Sequence, residues 1–283
     1  MEKQFNTRSM IFTLYGDYIR HCGNVVWIGS LIRLLQAFGH NEQAVRAAIS
    51  RMNRQGWIQA KKVGNKSYYA LTERGQARME EASKRIYKTE APEWDGHWRM
   101  LVYTIPEEKR HLRDELRKEL VWSGFGLLAN SCWITPNPLE QEVNGLIKKY
   151  DIASYVSFFK ATYEGMATSQ ELIDTCWNLD EINEHYATFI ETYSQKYVID
   201  KSSMKRGALT DEQCFVKCAL LVHQYRKFLF VDPSLPRELL PDEWLGDSAA
   251  TLFTDYYQLL AEHATRFFET VFNQAEIPHT IKQ

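Results

Sequence analysis

Between Asn41 and Leu71 the chain carries a pattern that few folds accept, a capped amphipathic helix followed at once by a tight hairpin. Asn41 can accept hydrogen bonds from the free N–H groups of a first turn, and Gly56 stands where a helix stops, which predicts a helix over 42–55. Val45, Ala48, Ile49 and Met52 fall on one face at helical spacing. The opposite face carries Gln43, Arg46, Ala47, Ser50 and Arg54, with Arg51 on its flank, and reads as free of acidic residues. Long donors interleaved with small side chains suit a helix that presses into a groove. Apolar and polar residues then alternate on both sides of Val63-Gly64-Asn65-Lys66, a hairpin signature whose tip gathers Lys61, Lys62, Asn65 and Lys66.

Upstream, Met10, Ile11, Leu14, Tyr15 and Tyr18 predict a first helix ended by Gly23-Asn24. Trp27, Ile28, Leu31, Leu34, Leu35 and Phe38 predict a second, closed by Gly39. Helix, helix, short turn, helix, hairpin is the order of a winged helix-turn-helix, expected over 1–88 with a fourth helix capped by Thr72. A charged helix face is usually only a solvated one, so the distribution of charge decides between the two roles. Residues 1–90 hold 15 Lys and Arg against 7 Asp and Glu, whereas residues 91–283 hold 19 against 29. The basic charge is localised at the helix and hairpin, as contact with the phosphates of double-stranded DNA requires.

A second unit is expected over 98–165. Trp98 to Ile105 reads as a buried strand, and Pro106 opens a helix with Glu107 and Glu108 in its first turn. Two short strands follow through Thr135, then a helix over 140–150 and a last strand over 154–163, a β-α-β-β-α-β order that matches a ferredoxin-like domain. Residues 169–283 read as an all-helical C-terminal domain for effector binding and dimerisation. In it Thr210-Asp-Glu-Gln213 forms a capping box, and three prolines stiffen the loop from Asp232. The fold class is therefore α+β and multidomain.

No apolar run approaches a signal core or a membrane span, which predicts a cytoplasmic protein without membrane contact. Five cysteines, at 22, 132, 176, 214 and 218, include no Cys-x-x-Cys pair and point neither to a disulfide framework nor to a zinc ribbon. Cys214, Cys218 and His223 share one helix, but their spacing matches no tetrahedral metal site and predicts core. No catalytic residue is given a partner, so neither an enzyme nor a metal or other cofactor is expected.

An ordered set of segments resembles the PaaX-type repressors of phenylacetate catabolism. It comprises Trp27-Ile-Gly-Ser-Leu-Ile, Ala44-Val-Arg-Ala-Ala-Ile-Ser-Arg, Gln55-Gly-Trp, Ser67-Tyr-Tyr-Ala-Leu-Thr, Trp122-Ser-Gly-Phe-Gly, Trp177-Asn-Leu, Tyr225-Arg and Asp232-Pro-Ser-Leu-Pro-Arg-Glu-Leu-Leu-Pro. The resemblance implies a homodimer on an inverted-repeat operator that leaves when phenylacetyl-CoA binds; a rival of the same build would answer another acyl-CoA or a carboxylic acid. In the wing, Gly64-Asn65-Lys66 stands where the family usually has Gly-Arg-Arg. The ferredoxin-like unit is also similar to small CRISPR-associated nucleases, which place an Asp at the end of the first strand. Here that position is Thr104, and a hydroxyl does not replace the carboxylate a hard cation needs.

Arg226 falls inside the apolar stripe of Phe215, Cys218, Ala219, Val222 and Leu229, with His223 at its edge, and a guanidinium there must meet an acceptor. Two roles fit: an internal ion pair with Asp232 or Glu238, or an anion subsite for a CoA phosphate or thioester. In the second, Trp177 and Tyr225 offer ring faces to an aromatic acyl group, and Lys205 and Arg206, expected in the preceding loop, reach phosphates.

Overall fold

A computed structural model of the chain describes residues 5–87 and 93–274. In chain order the first elements are α1 (Thr7–Asp17), β1 (Val25–Trp27), α2 (Ile28–Gln36), α3 (Glu42–Arg54), β2 (Ile58–Val63), β3 (Lys66–Leu71) and α4 (Glu73–Ile86). Then come β4 (Trp98–Tyr103), α5 (Arg110–Trp122), β5 (Gly126–Ala129), β6 (Cys132–Thr135), α6 (Glu140–Tyr150), β7 (Val156–Ala161) and α7 (Ser169–Cys176). Three long helices close the series: α8 (Leu179–Lys205), α9 (Asp211–Tyr225) and α10 (Gly246–Phe272). None is long and apolar enough to cross a membrane among the described residues.

The backbone divides into two compact units. One holds the residues up to Tyr87 with Phe189–Arg226 and the stretch from Ser248; the other runs from the linker to Thr188 and includes Lys227–Asp247. The stretch 169–283, expected as one helical domain, is thus shared between the two. The amphipathic faces of α9 and α10 find apolar partners on the N-terminal helices rather than only on each other.

In the first unit, β1, β3 and β2 lie side by side in that order, all antiparallel. Trp27, expected on the second helix, is instead the last residue of β1 and the N-cap of α2. The turn at Gly23 and Asn24, both at positive φ, delivers Val25-Val26-Trp27 to β3, where β-branched and aromatic residues pair with Tyr68, Tyr69 and Ala70. Helix α1 is central. Met10, Ile11, Thr13, Leu14, Tyr15 and Asp17 are all buried, so nearly its whole circumference faces protein. It packs on α2, α3 and α4 and also on α9. Buried Ser30 of α2 donates to the Val271 carbonyl at 3.2 Å, which ties the end of α10 into the same body.

The second unit is a four-stranded antiparallel sheet in the order β5-β6-β4-β7. Leu101, Tyr103 and Trp133 of the sheet form one core with Leu116 and Leu120 of α5 and Val143 of α6. The helix expected at Pro106 begins as a 3-10 turn over Glu107–Lys109 before α5, and the last strand is shorter than 154–163. Arg99, buried on β4, is fully engaged: its guanidinium bonds both carboxylate oxygens of Asp95, at 2.7 and 2.8 Å, and Glu140 at 2.8 Å. The carboxylates favour its charged form, and the Arg99 guanidinium in turn holds the Asp95 carboxyl well below the usual range.

Candidate nucleic-acid interface and a buried polar seam

Helix α3 begins where local chemistry says it should, since the Asn41 side chain accepts from the Ala44 N–H at 2.8 Å. Val45, Ala48, Ile49 and Met52 are buried, and Gln43, Arg46, Ala47, Ser50, Arg51 and Arg54 are all exposed. One expectation needs correction, because the donor face has an acidic neighbour. Glu42 lies one turn before Arg46 and pairs with it at 2.7 Å, as i,i+4 spacing on a helix permits. Both side chains are more than half exposed, so the pair adds little stability and is readily exchanged for another anion.

The β2–β3 hairpin keeps register from Ile58 opposite Leu71 to Val63 opposite Lys66, which leaves Gly64-Asn65 as a two-residue turn. Gly64 takes φ +60° at the first central position, a conformation that a II′ turn demands and that glycine adopts without strain. Lys62, Asn65 and Lys66 are exposed and Lys61 is half-buried. The Lys66 ammonium lies 5.2 Å from the centroid of the Trp27 ring, so the indole of β1 props one of the tip cations. An exposed row of guanidinium and amide donors beside a lysine-tipped hairpin is an arrangement that accepts phosphate oxygens and base edges.

A second constellation lies inside the same unit. Ser9, Thr13 and Asp17 follow one another at intervals of four along α1 and meet polar groups of the C-terminal helices. Arg226, just past α9, donates to the Ser9 carbonyl at 2.9 Å and to the Ser9 hydroxyl. Thr13 Oγ1 lies 3.0 Å from Nδ1 of buried His223 and 3.3 Å from the Ser9 carbonyl. Asp17 accepts from the Tyr87 hydroxyl and, at 3.3 Å, from that of Tyr257 on α10. Burial pushes the Asp17 carboxyl up to about 6, although these hydrogen bonds favour its charged form.

The internal ion pair, one of the two roles open to Arg226, does not form among the described residues. No carboxylate pairs with it among the described residues, its Nε is buried without a hydrogen-bond partner, and burial lowers its guanidinium to about 10. Asp232, the partner considered for it, instead accepts from the Tyr186 hydroxyl and from the Ser234 N–H at 2.6 Å. Tyr225 already stacks on Phe253, with centroids 4.1 Å apart and planes 9° from parallel. Trp177 belongs to the other unit and packs against β5, where a Cβ added at Gly126 would come within 2.6 Å of its ring. Lys205 and Arg206 are not in an open loop: Lys205 is the last residue of α8, and Arg206 folds back onto the Ser202 hydroxyl at 2.7 Å.

Three family models match the chain in succession: "PaaX-like protein" over residues 6–75, "PaaX protein central Cas2-like domain" over 91–173 and "PaaX-like protein C-terminal domain" over 177–270. The chain is also 36% identical over 262 residues to the transcriptional repressor PaaX of Escherichia coli (strain K12), covering 92% of this chain and 82% of that protein. This chain belongs to the PaaX family. Among solved structures it is similar to the uncharacterised protein Rv0674 from Mycobacterium tuberculosis, with a TM-score of 0.58 at 23% identity over 92% of this chain and 98% of that one. That likeness speaks to the fold of a PaaX-family chain and to nothing further.

In this PaaX-family protein the seam along α1 is what sequence reasoning missed. Its signal was present: Ser9, Thr13 and Asp17 interrupt an apolar helix at a spacing of four, which places them on one stripe. Polar residues on a buried stripe need partners. Nothing local to residues 7–17 says that those partners include His223, Arg226 and Tyr257, all more than 200 positions away.

Proposed function

We propose that this protein is a cytoplasmic, DNA-binding transcriptional repressor of phenylacetate degradation genes, released from its operator by phenylacetyl-CoA. The observation that carries this is the exposed face Gln43, Arg46, Ala47, Ser50, Arg51 and Arg54 beside the hairpin of Lys61, Lys62, Asn65 and Lys66. The helices and the β1-β3-β2 sheet support a winged helix-turn-helix, with α3 in the major groove and the hairpin on the flanking backbone. Likewise, a β5-β6-β4-β7 antiparallel sheet with α5 and α6 in its core supports a ferredoxin-like second unit. Its first strand ends at Tyr103 and is followed by Thr104, a poor ligand for the metal a nuclease would need, which favours a regulator over an enzyme.

Release is a matter of linkage, since the effector must bind the DNA-incompetent arrangement more tightly than the competent one. We place an effector anion at Arg226, because a guanidinium without a carboxylate partner is completed by a ligand that brings one negative group. His223 and Tyr225 flank it in sequence, and Lys205 and Arg206, which belong to the same unit, are the cations proposed for the phosphates. Two copies of the chain would read an inverted repeat, since one such unit buries too little surface for selective binding.

The experiment is a DNA-binding titration on the region upstream of the protein's own gene, with and without phenylacetyl-CoA, read by footprinting and by scattering. Two protected half-sites about one helical turn or a small multiple apart, a dimer, and release by phenylacetyl-CoA are expected. Release by a different acyl-CoA or a carboxylic acid alone would move the effector assignment. Protection of one half-site by a monomer would overturn the dimer.

A further inference from the structure

We infer that Ser9 and Thr13 are positioning residues through which an anion at Arg226 governs α3, the helix proposed to enter DNA. This rests on the proposal that Arg226 meets the effector. Helix α1 has two sets of contacts. Its apolar residues pack on α3, and its polar stripe is held by α9 and the turn that follows it. Among the described residues no salt bridge holds Ser9, Thr13 or Asp17; the Ser9–Thr13 part of the stripe is held by a short hydrogen-bonded chain. The Thr13 hydroxyl has one hydrogen and two neighbours, and both are satisfied when His223 Nδ1–H donates to Thr13 Oγ1 and Thr13 donates to the Ser9 carbonyl. The same carbonyl accepts from Arg226, and the Ser9 hydroxyl lies on that guanidinium too. Ser9 is therefore the point where α9 and its cation grip α1.

An anion offers a guanidinium stronger, charge-assisted bonds than a neutral carbonyl and hydroxyl do, so a ligand that takes Arg226 takes it from Ser9. The loss leaves the Thr13–His223 bond still linking this stripe to α9. Because α1 is close-packed on α3, a shift of one is felt by the other. The closed seam is the arrangement assigned to DNA binding; effector binding favours the open seam.

The test uses the full chain and compares wild type with Ser9→Ala, Thr13→Val, the double variant, and Thr13→Ser, which keeps the hydroxyl. Affinity for the operator and for non-specific duplex is measured by anisotropy, and affinity for phenylacetyl-CoA by calorimetry. Each lost bond is expected to weaken operator binding about fivefold while leaving non-specific binding unchanged, and reciprocity requires phenylacetyl-CoA to bind the variants more tightly by a comparable factor. Thr13→Ser should behave as wild type. General damage to the fold moves both affinities down together, and that outcome overturns the inference, as does a double variant with wild-type affinity for both. A variant Arg226→Gln that binds phenylacetyl-CoA as wild type does would instead defeat the Arg226 assignment. If phenylacetyl-CoA fails to bind even the wild type, operator affinity of the double variant against Thr13→Ser still decides whether the seam sets α3.

Discussion

Arg46 and Glu42 are joined at 2.7 Å across one turn of α3, at the start of the face proposed to meet DNA. The carboxylate satisfies the guanidinium in the free protein and competes with phosphate or guanine for it. Glu42→Gln should therefore tighten DNA binding by roughly threefold, the size of one exposed i,i+4 pair plus one removed like charge near the backbone. Arg46→Ala and Arg54→Ala should each weaken specific binding by about 1 to 3 kcal/mol, with the specificity loss confined to one base position apiece. Binding by selected variants to a mutated operator panel measures this; equal affinity across all of them would remove α3 from the interface.

The hairpin should act differently. Lys62→Ala and Lys66→Ala are expected to weaken every duplex alike and to reduce the slope of log K against log salt by about one each. Because the Lys66 ammonium also lies over Trp27, Trp27→Leu should reproduce part of the Lys66→Ala loss by freeing the cation to wander. A salt titration from low to physiological ionic strength separates these effects. An unchanged slope in both lysine variants would contradict the assignment.

The buried Asp17 carboxyl predicts an unusual pH profile. Its folded value, about 6, lies above the ordinary 3.8, so the folded state holds the proton more tightly than the unfolded chain does. The stability it contributes is then greatest below about pH 4 and is lost as pH rises through the window between 3.8 and about 6, by about 2 to 3 kcal/mol. Asp17→Asn keeps an acceptor for Tyr87 and Tyr257 but has no charge to desolvate, and should flatten the profile in that window. Denaturant midpoints at pH 4, 5, 6 and 7 give the answer; parallel curves for the two proteins would exclude Asp17 as the source.

Gly124 tests the second unit. It takes φ +86°, and a Cβ there would stand 2.4 Å from the Pro233 carbonyl oxygen, which belongs to backbone and cannot swing aside. Gly124→Ala combines a left-handed backbone penalty with overpacking and should cost about 2 to 4 kcal/mol, lowering the melting temperature by several degrees. Gly145→Ala is the control, since nothing lies within 4 Å of its added Cβ and it sits mid-helix in α6. It should be neutral or stabilising.

The sequence alone determined the elements whose signals are local. Asn41 as a cap, Gly56 as a stop, Gly64-Asn65 as a turn, the Thr210-to-Gln213 capping box and the helix over 140–150 each involve residues within a few positions of one another. Their chemistry is complete in the peptide itself. Tertiary structure decided the rest. Strand β1 is only three residues long and exists because Val25, Val26 and Trp27 pair with residues more than forty positions later, so its local pattern merges with that of α2. Arg226 advertised that it needed an acceptor, and the obvious choices were carboxylates close by in sequence. The acceptor is a backbone carbonyl and a hydroxyl 217 positions away, because burying α1 all round brings its polar stripe against α9. A helix's own pattern says which residues want to be buried; what they are buried against depends on every other apolar face in the chain, and no spacing along the sequence records that outcome.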